Sequence, residues 1–467
     1  MSVLQRARGA RRGGVLIVAL LSIVMFSALA AAVAAFSGIN VQIGTNQQKL
    51  NNARASAESG IEVLRYWMDK NKIIFTGTTE PEDRLAVTAA RLQDALNAAG
   101  ITNIVPVCNG TTITIANVPL SSRPRQSFSA VFTQSDPNTM RVEVTGHSGG
   151  VSRTLVSNFR FDRRANSIFD HALGTKGPLL LSGGVDLLGL TVAKNAFIDT
   201  DAITALTLMG KAYIHGQVQL TGSQSHNIVV VEGGHAGIGG VYGHAAEIPP
   251  ASLFDQPKLE FPEMDPSYFE PYITNTLDPS MGTSGTLVLD NIRIPANMNP
   301  SFTGQVTLRG VVYIEAPNVV TFAGSTTVCG VIVGNGDPTD HSGTNSITFT
   351  GSLESYPMSD TTHLPDEPQF AGIRQETGTF LMAPGFAADF EGPFTTVSGA
   401  IGANGVKFGG SSGGTIRGSL INYSPTLLEC SGSGDITFQN TEGEVPAGFV
   451  QQIIVTYDPS SYSEAML

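Results

Sequence analysis

The hydrophobic pattern at the start of the chain predicts one long helix. Residues 13–36 (GGVLIVALLSIVMFSALAAAVAAF) form a nearly continuous apolar run without a charged residue. Beyond this run, apolar residues recur mostly at steps of three, four or seven, which is helical spacing. They are Ile39, Ile43, Leu50, Ala53, Ala57, Ile61, Leu64 and Met68. The pattern predicts a helix over residues 15–72 whose first half is apolar and whose second half is amphipathic.

The apolar half is long enough to cross a membrane, since a spanning helix needs about 20 apolar residues. Residues 1–14 form a basic leader that contains Arg6, Arg8, Arg11 and Arg12. Positive charge of this kind stays on the cytoplasmic side. We therefore expect a single-pass membrane protein with a cytoplasmic N-terminus. The alternative is a secretory signal that is cleaved among the small residues Ala28 to Ala35.

Residues 73–164 combine one short helical pattern with several alternating ones. The run from Arg84 to Ala99 has helical spacing and stops at Gly100, a residue typical of helix ends. Runs with period two start at Thr111, Phe128, Met140 and Arg153, and this alternation predicts antiparallel strands. The region is therefore expected to form a small α+β head.

From residue 165 onward, short apolar strands end repeatedly in glycine, as in LLLSGG, VTFAGS, ITFTGS and VKFGGSS. Such strands predict stacked coils. We expect a right-handed parallel β-helix over residues 165–455, with a β-sandwich as the alternative. Two stretches rich in proline and acidic residues, 247–283 and 354–370, are expected to be loops that carry recognition or cover the core. Residues 456–467 are expected to be a tail, so the fold class is mixed and mainly β.

Composition argues against nucleic acid as a partner, and the spacing of the cysteines argues against a zinc site. The net charge is −12 and only 14% of the residues are charged, whereas a nucleic-acid-binding protein needs a positive stripe. Cys108, Cys329 and Cys430 lie far apart and lack C-x-x-C spacing, so they do not indicate a zinc site. We expect them to be buried thiols, and we expect no cofactor.

Two clusters of polar residues are weak candidates for chemistry. Asp337 and Asp340 resemble a calcium loop or a pair of catalytic carboxylates, but Asp, Pro, Thr and Gly also favour a simple turn. We favour the turn. Four histidines lie within thirty residues in a glycine-rich region and are interpreted as solvated loop residues. They are His215, His226, His235 and His244. No catalytic site is expected.

The N-terminal seventy residues resemble the type IV pilus minor pilins of the PilX type. The resemblance rests on RRGGVLIVALLSIVMFSALAAA and on NNARASAESGIEVLRYWM. It implies cleavage by a prepilin peptidase after Gly13 or Gly14, so that the mature chain starts at Gly14 or Val15. The family signature "A-E-x-G" matches Ala57, Glu58 and Gly60. The resemblance also implies that the apolar run becomes a filament helix, which includes Leu16, Leu20, Ile23, Phe26 and Phe36.

The resemblance further implies an inner-membrane protein that reaches the periplasm, the cell surface or a pilus. Its partners would be the peptidase and other pilin-like subunits, with surface polysaccharide as a further partner. The glutamate that major pilins carry at the fifth mature position is replaced by Val18 or Ala19, which suggests a minor or tip subunit. The Gly-rich strands are also similar to β-helical domains fused to PilX-type N-termini.

Two other functions remain open on the sequence. One is a membrane-anchored β-helical protein that binds or cleaves carbohydrate. The other is a cell-surface solenoid whose anchor is never cut.

Overall fold

The computed structural model describes residues 11–70, 74–77, 79–120, 126–189, 191, 194–440 and 445–465. Arg6 and Arg8 of the expected leader lie outside the described residues. The chain divides into two compact units. The first comprises Met1–Phe75, Thr79–Asp162 and Ile453–Leu467, and the second comprises Thr76–Thr78 and Arg163–Gln452.

The first unit contains two helices and one mainly antiparallel sheet. The helices are α1 (Arg11–Lys70) and α2 (Arg84–Ala98). The strands are β1 (Ile74–Thr76), β2 (Val107–Cys108), β3 (Thr112–Pro119), β4 (Gln126–Asp136), β5 (Thr139–Ser148), β6 (Val151–Arg164) and β35 (Gln452–Glu464), in the order β1-β35-β6-β5-β4-β3-β2. Strands β2 to β6 pair in an antiparallel manner, which confirms the alternation predicted from the sequence.

The second unit consists of short strands with very little helix. They are β7 (Leu173–Thr175), β8 (Leu179–Gly183), β9 (Val185–Leu188), β10 (Ala196–Ile198), β11 (Thr204–Gly210), β12 (Tyr213–Ile214), β13 (Val218–Leu220), β14 (Ile228–Glu232), β15 (Gly237–Ile238), β16 (Val241–Tyr242), β17 (Ser252–Leu253), β18 (Asn275–Thr276), β19 (Thr286–Ile294), β20 (Ser301–Phe302), β21 (Gln305–Glu315), β22 (Val319–Phe322), β23 (Thr326–Asn335), β24 (Ser346–Phe349), β25 (Leu353–Tyr356), β26 (Thr379–Ala383), β27 (Ala387–Phe390), β28 (Thr396–Ser398), β29 (Ala400–Ala403), β30 (Val406–Phe408), β31 (Gly414–Arg417), β32 (Leu420–Asn422), β33 (Leu428–Cys430) and β34 (Ile436–Gln439).

These strands form three sheets in which successive coils of the chain pair in parallel. The register joins Leu173 to Ala196 and Ala196 to Val218, so these coils take 23 and 22 residues. Each coil contributes one strand to each of the three sheets. In the first coil these strands are β7, β8 and β9. This is the pairing of a parallel β-helix and differs from the antiparallel pairing expected of a β-sandwich. The right-handed winding stays a prediction.

The coils are not stacked in simple chain order. Strand β7 lies between β10 and β32, and the sheet continues from β10 to β17 on one side and from β32 to β18 on the other. The chain therefore winds outward from the middle of the stack, passes to the far end, and winds back to its starting coil. Both ends of the second unit meet there, where Ser167 N donates to Gln452 Oε1 at 3.1 Å.

Stacked phenylalanines fill the interior of the coils. The rings of Phe302, Phe322, Phe349, Phe390 and Phe408 follow one another at centroid distances of 5.3, 5.1, 5.2 and 4.8 Å, nearly parallel. Each of them is at most 1% exposed. Since aromatic stacking adds to the burial of apolar area, this column joins five coils into one core.

A glycine follows each of the first four phenylalanines after one intervening residue. A β-carbon would lie 1.8 Å at Gly324, and 1.9 Å at Gly351 and Gly392, from the carbonyl oxygen of the corresponding glycine in the adjacent coil. No other residue fits at that distance without a backbone shift. The sequence F-x-G thus sets both the interior stack and the close approach of adjacent coils.

The long loops cover the outer side of the largest sheet. Phe269 from the first loop and Met358, Leu364 and Phe370 from the second are at most 3% exposed. They pack in one apolar cluster with outward residues of the sheet such as Tyr313. The loop bounds differ from the expectation, because β17 and β18 lie within 247–283 and β25 extends into 354–370. Backbone pairing with β13, β19 and β23 orders these residues.

The expected tail is a strand instead. Residues 456–464 belong to β35, which lies beside β6 in the sheet of the first unit. Buried apolar residues lie only at the start of this strand, at Ile453 and Val455. The polar residues that follow do not indicate a strand in the sequence. The second unit is consequently an insertion between two neighbouring strands.

We predict that Gly351→Ala lowers the free energy of unfolding of the second unit by about 1–3 kcal/mol, because the added methyl group meets a backbone carbonyl that cannot move alone. Gly282→Ala is the matched control, since nothing lies within 4 Å of its built β-carbon. We expect this control to stay within about 0.5 kcal/mol of the wild type. Scanning calorimetry of the full chain in detergent checks both, and equal stability of the two variants would contradict the packing argument.

Candidate membrane and assembly site

The first half of α1 presents apolar side chains that no other described residue covers. Leu16, Leu20, Ile23, Phe26 and Phe36 are 61–70% exposed. At a rise of about 1.5 Å per residue, the stretch 15–36 covers about 33 Å, close to the thickness of a bilayer interior. A window within Gly14–Met68 reaches a mean hydropathy of 2.7 and is not buried at all. This helix is a candidate membrane anchor.

The cost of leaving this surface in water is large compared with the stability of a domain. Thirteen large apolar side chains from Val15 to Phe36 are exposed. Burying each one fully is worth about 1.5–3 kcal/mol, so the whole set is worth on the order of 20–40 kcal/mol. A folded domain is stable by only about 5–15 kcal/mol. An apolar surface of this size needs a cover, which lipid or other helices would provide.

The residues proposed for cleavage lie at the start of the same helix. Gly13, Gly14 and Val15 belong to the first turns of α1. Nothing lies within 4 Å of a β-carbon built on Gly14, and Val15 is 70% exposed. No other described part of the chain therefore covers Gly14 or Val15.

The second half of α1 docks on the sheet of the first unit through small residues. Ala53, Ala57 and Gly60 are buried against β4 and β5. A β-carbon on Gly146 would lie 2.1 Å from the carbonyl oxygen of Ala53, and one on Gly60 would lie 2.6 Å from a methyl group of Val144. Helix and strand therefore meet at the closest distance that glycine permits.

The three signature residues of the sequence have two different roles in this docking. Ala57 and Gly60 face the sheet, whereas Glu58 lies on the exposed side of α1. The Glu58 Oε1 atom accepts a bond from Arg54 Nε at 3.1 Å and one from the hydroxyl group of Tyr462 at 3.2 Å. Burial, together with this carboxylate, raises the pKa of Tyr462. Glu58 thus ties α1 to β35, which the sequence did not indicate.

Arg84 is a further anchoring residue that the sequence did not single out. It begins α2 and is only 4% exposed. Its Nη1 atom donates to the Asn138 side chain at 3.3 Å and to the carbonyl oxygen of Pro137, and its guanidinium lies 5.5 Å from the ring centre of Phe161. Arg84 therefore holds α2 on the turn between β4 and β5.

Asp337 and Asp340 act within their own turn. The Asp337 carboxylate accepts bonds from the Thr339 backbone N and hydroxyl at 2.8 and 2.7 Å, and Asp340 accepts from Ser342 N at 2.8 Å. These bonds lower the pKa of both carboxyl groups. Among the described residues, no group of three or more His, Cys, Asp or Glu side chains could hold a metal ion.

The histidines and cysteines do not come together in a site. His215, His226, His235 and His244 are exposed. Cys329 and Cys430 are fully buried and lie in different apolar clusters, while Cys108 is half-buried. Burial raises the pKa of Cys329 to about 12 and raises that of Cys430 further. Both buried thiols are therefore poor nucleophiles.

The long loops are fixed rather than open. The hydroxyl groups of Tyr268 and Tyr272 both donate to Glu376 at 2.8 Å, and that of Tyr313 donates to Glu270 at 2.9 Å. Burial and the Glu376 carboxylate raise the pKa of Tyr268 and Tyr272 to about 12. Of the two expected roles of these loops, the contacts favour coverage of the sheet.

One cavity of the second unit has a volume of about 420 Å³ and is lined in part by Arg163, Arg164 and Arg417. Arg164 is paired with Asp170 at 3.0 Å, and Lys194 binds the same carboxylate. Burial would raise the pKa of Asp170, but its bonds to Lys194 and Arg164 outweigh burial and lower it. This ion cluster fixes the start of the first coil.

Comparison with known proteins adds little to this geometry. The chain matches no protein-family model and no curated protein. Among solved structures it is similar to the competence-associated pilin ComZ from Thermus thermophilus, with 13% identity and a TM-score of 0.23. The match covers 89% of this chain and 97% of that chain. A TM-score this low does not establish a shared fold.

We predict that Gly60→Leu destabilises the first unit by about 1–3 kcal/mol, because the new side chain overpacks against Phe128 and Val144. Gly44→Leu, on an open position of the same helix, should be neutral or slightly stabilising because leucine favours helix. Chemical unfolding followed by tryptophan fluorescence measures this, since Trp67 is the single tryptophan and lies in the first unit. If Gly60→Leu and Gly44→Leu unfold alike, the close docking of α1 is wrong.

Proposed function

We propose that this chain is a membrane-anchored, pilin-like minor subunit of a type IV pilus or a related secretion filament. The observation that carries the proposal is the division of α1 into an uncovered apolar half and a half that docks on its own sheet. A pilin-like subunit needs both halves. One half moves between lipid and the helices of a filament, while the other holds the folded head.

The docked half supports the same proposal. The positions that match the family signature, Ala57 and Gly60, are those that let α1 approach the sheet closely. Their family resemblance therefore coincides with a physical requirement for small residues.

We propose a minor or tip location rather than the main polymer. No acidic residue occurs between Gly13 and Gln48. A buried carboxylate in an apolar helix is costly unless it is paired, and a subunit without a preceding neighbour has no partner for it. The second unit would then be displayed as a structural or adhesive body. We propose no catalytic role, because Asp337 and Asp340 are engaged within their own turn.

The N-terminal residue of the protein tests the proposal. In cells with a prepilin peptidase, we expect intact mass and peptide mapping to give a start at Gly14 or Val15. Deleting the peptidase, or changing both Gly13 and Gly14 to Leu, should leave the leader in place. Gly38→Leu is the matched control on the same helix, since nothing lies within 4 Å of its built β-carbon, and it should be processed normally.

Two results would reject the proposal. A start near Ala35 would identify a secreted protein with an ordinary signal. An uncut leader in cells with the peptidase would identify a permanently anchored surface protein.

A further inference from the structure

One sheet of the second unit carries a continuous row of residues on its outward side. The sheet has the strand order β16-β15-β12-β9-β34-β31-β28. Seven positions follow one another in register across it, and we call them the polar row: Tyr242, Gly237, Tyr213, Asp186, Thr437, Thr415 and Thr396. They come from both halves of the stack, so the sequence does not place them together.

Six positions of the polar row face away from the core, and the seventh, Gly237, is buried against the ring of Tyr242. Val185 and Leu187, on either side of Asp186, are buried in the interior, whereas the Asp186 side chain is 52% exposed. Neighbouring strands lie about 4.8 Å apart, so the seven positions span about 29 Å. The polar row is therefore a long, narrow surface rather than a pocket.

Two tyrosines form a fixed aromatic platform at one end of the polar row. The ring of Tyr242 is stacked on that of Tyr213 at 5.7 Å and 25°, and Tyr242 is 53% exposed. The Tyr213 hydroxyl accepts a bond from Gly240 N at 2.8 Å, and the ring of His215 meets Tyr213 edge-on at 4.9 Å. The platform is thus ordered before any ligand arrives, which reduces the entropy lost on binding.

The charge of this surface restricts its ligand. Asp186 and Arg417 are the charged residues that the seven described strands carry, so the face is close to neutral although the chain has a net charge of −12. Nucleic acids and acidic polymers need a positive stripe. A neutral ligand that exchanges many hydrogen bonds fits the hydroxyl groups of Thr396, Thr415 and Thr437.

We propose that the polar row binds a neutral, linear glycan. The C–H face of one sugar ring would stack on the exposed ring of Tyr242, whose π-face carries negative potential. Asp186, whose Oδ1 atom lies 3.5 Å from His215 Nε2, would accept bonds from hydroxyl groups of the following sugars. The threonine hydroxyl groups would both donate and accept. The inference goes beyond the assembly role and does not rest on it, because binding is measured on the unassembled chain.

The test is calorimetric titration of the full chain in detergent with three neutral probes: cellohexaose, chitohexaose and laminarihexaose. We expect at least one probe to bind. Tyr242→Ala should weaken that binding by about tenfold or more, and Tyr242→Phe should retain it because the stacking ring stays. Tyr66→Ala is the matched control, since Tyr66 is 55% exposed in the first unit. This variant should bind the glycan with the affinity of the wild type.

Circular dichroism of each variant checks that the fold is intact. The proposal is overturned if none of the three probes binds at millimolar concentration, or if Tyr242→Ala and wild type bind equally. Binding of polygalacturonate or duplex DNA in place of the neutral probes would also overturn it, since the charge argument would then be wrong.

Discussion

An apolar surface without a partner in its own chain sets the main constraint on this molecule. Helix α1 carries no charge from Gly13 to Gln48, and its first half offers more apolar area than a single domain can leave in water. The same helix continues into a half that is buried by β4 and β5. Because both halves belong to one helix, the folded first unit is attached directly to the surface that needs lipid or other helices.

The second unit is held together by interactions of its own. Its interior is a phenylalanine column, its coils approach one another at glycines, and its largest sheet is covered by loops that tyrosine–carboxylate bonds fix. The pairing of Leu173 with Leu420 closes the stack at the coil where the chain enters and leaves. Such a body can be carried between two strands of another sheet without sharing its core.

Local patterns in the sequence were sufficient to predict much of this architecture. The helix, the antiparallel strands and the glycine-punctuated parallel strands each leave a short-range signal, and the structure bears these out. The middle-first winding leaves no such signal, since β7 meets β32 across more than two hundred residues of chain. The sequence of β35 likewise predicts a tail, because its pairing with β6 spans the whole second unit.

The functional residues also divide into those with a local signal in the sequence and those that only long-range contacts bring together. Ala57 and Gly60 stand out in the sequence because they match the A-E-x-G signature of the resembling family. Tyr462 was missed because its contact with Glu58 joins the two ends of the chain. The polar row has no local signal in the sequence, because Tyr213 and Thr437 become neighbours of Asp186 only through the pairing of distant coils. F-x-G is the exception, a local repeat that is visible in the sequence once its role in stacking is known.

The covering of α1 in the cell is the central claim, and cysteine accessibility measures it most directly. In a background that combines Cys108→Ser, Cys329→Ala and Cys430→Ala, a single cysteine replaces Phe26 or Thr45, and spheroplasts are treated with a membrane-impermeant maleimide. Both positions are exposed in the isolated chain, so any difference reports what surrounds the helix. The account predicts that Thr45→Cys reacts and that Phe26→Cys is protected until the protein is denatured. Equal reaction at both positions, or loss of residue 26 from the mature chain, would contradict it.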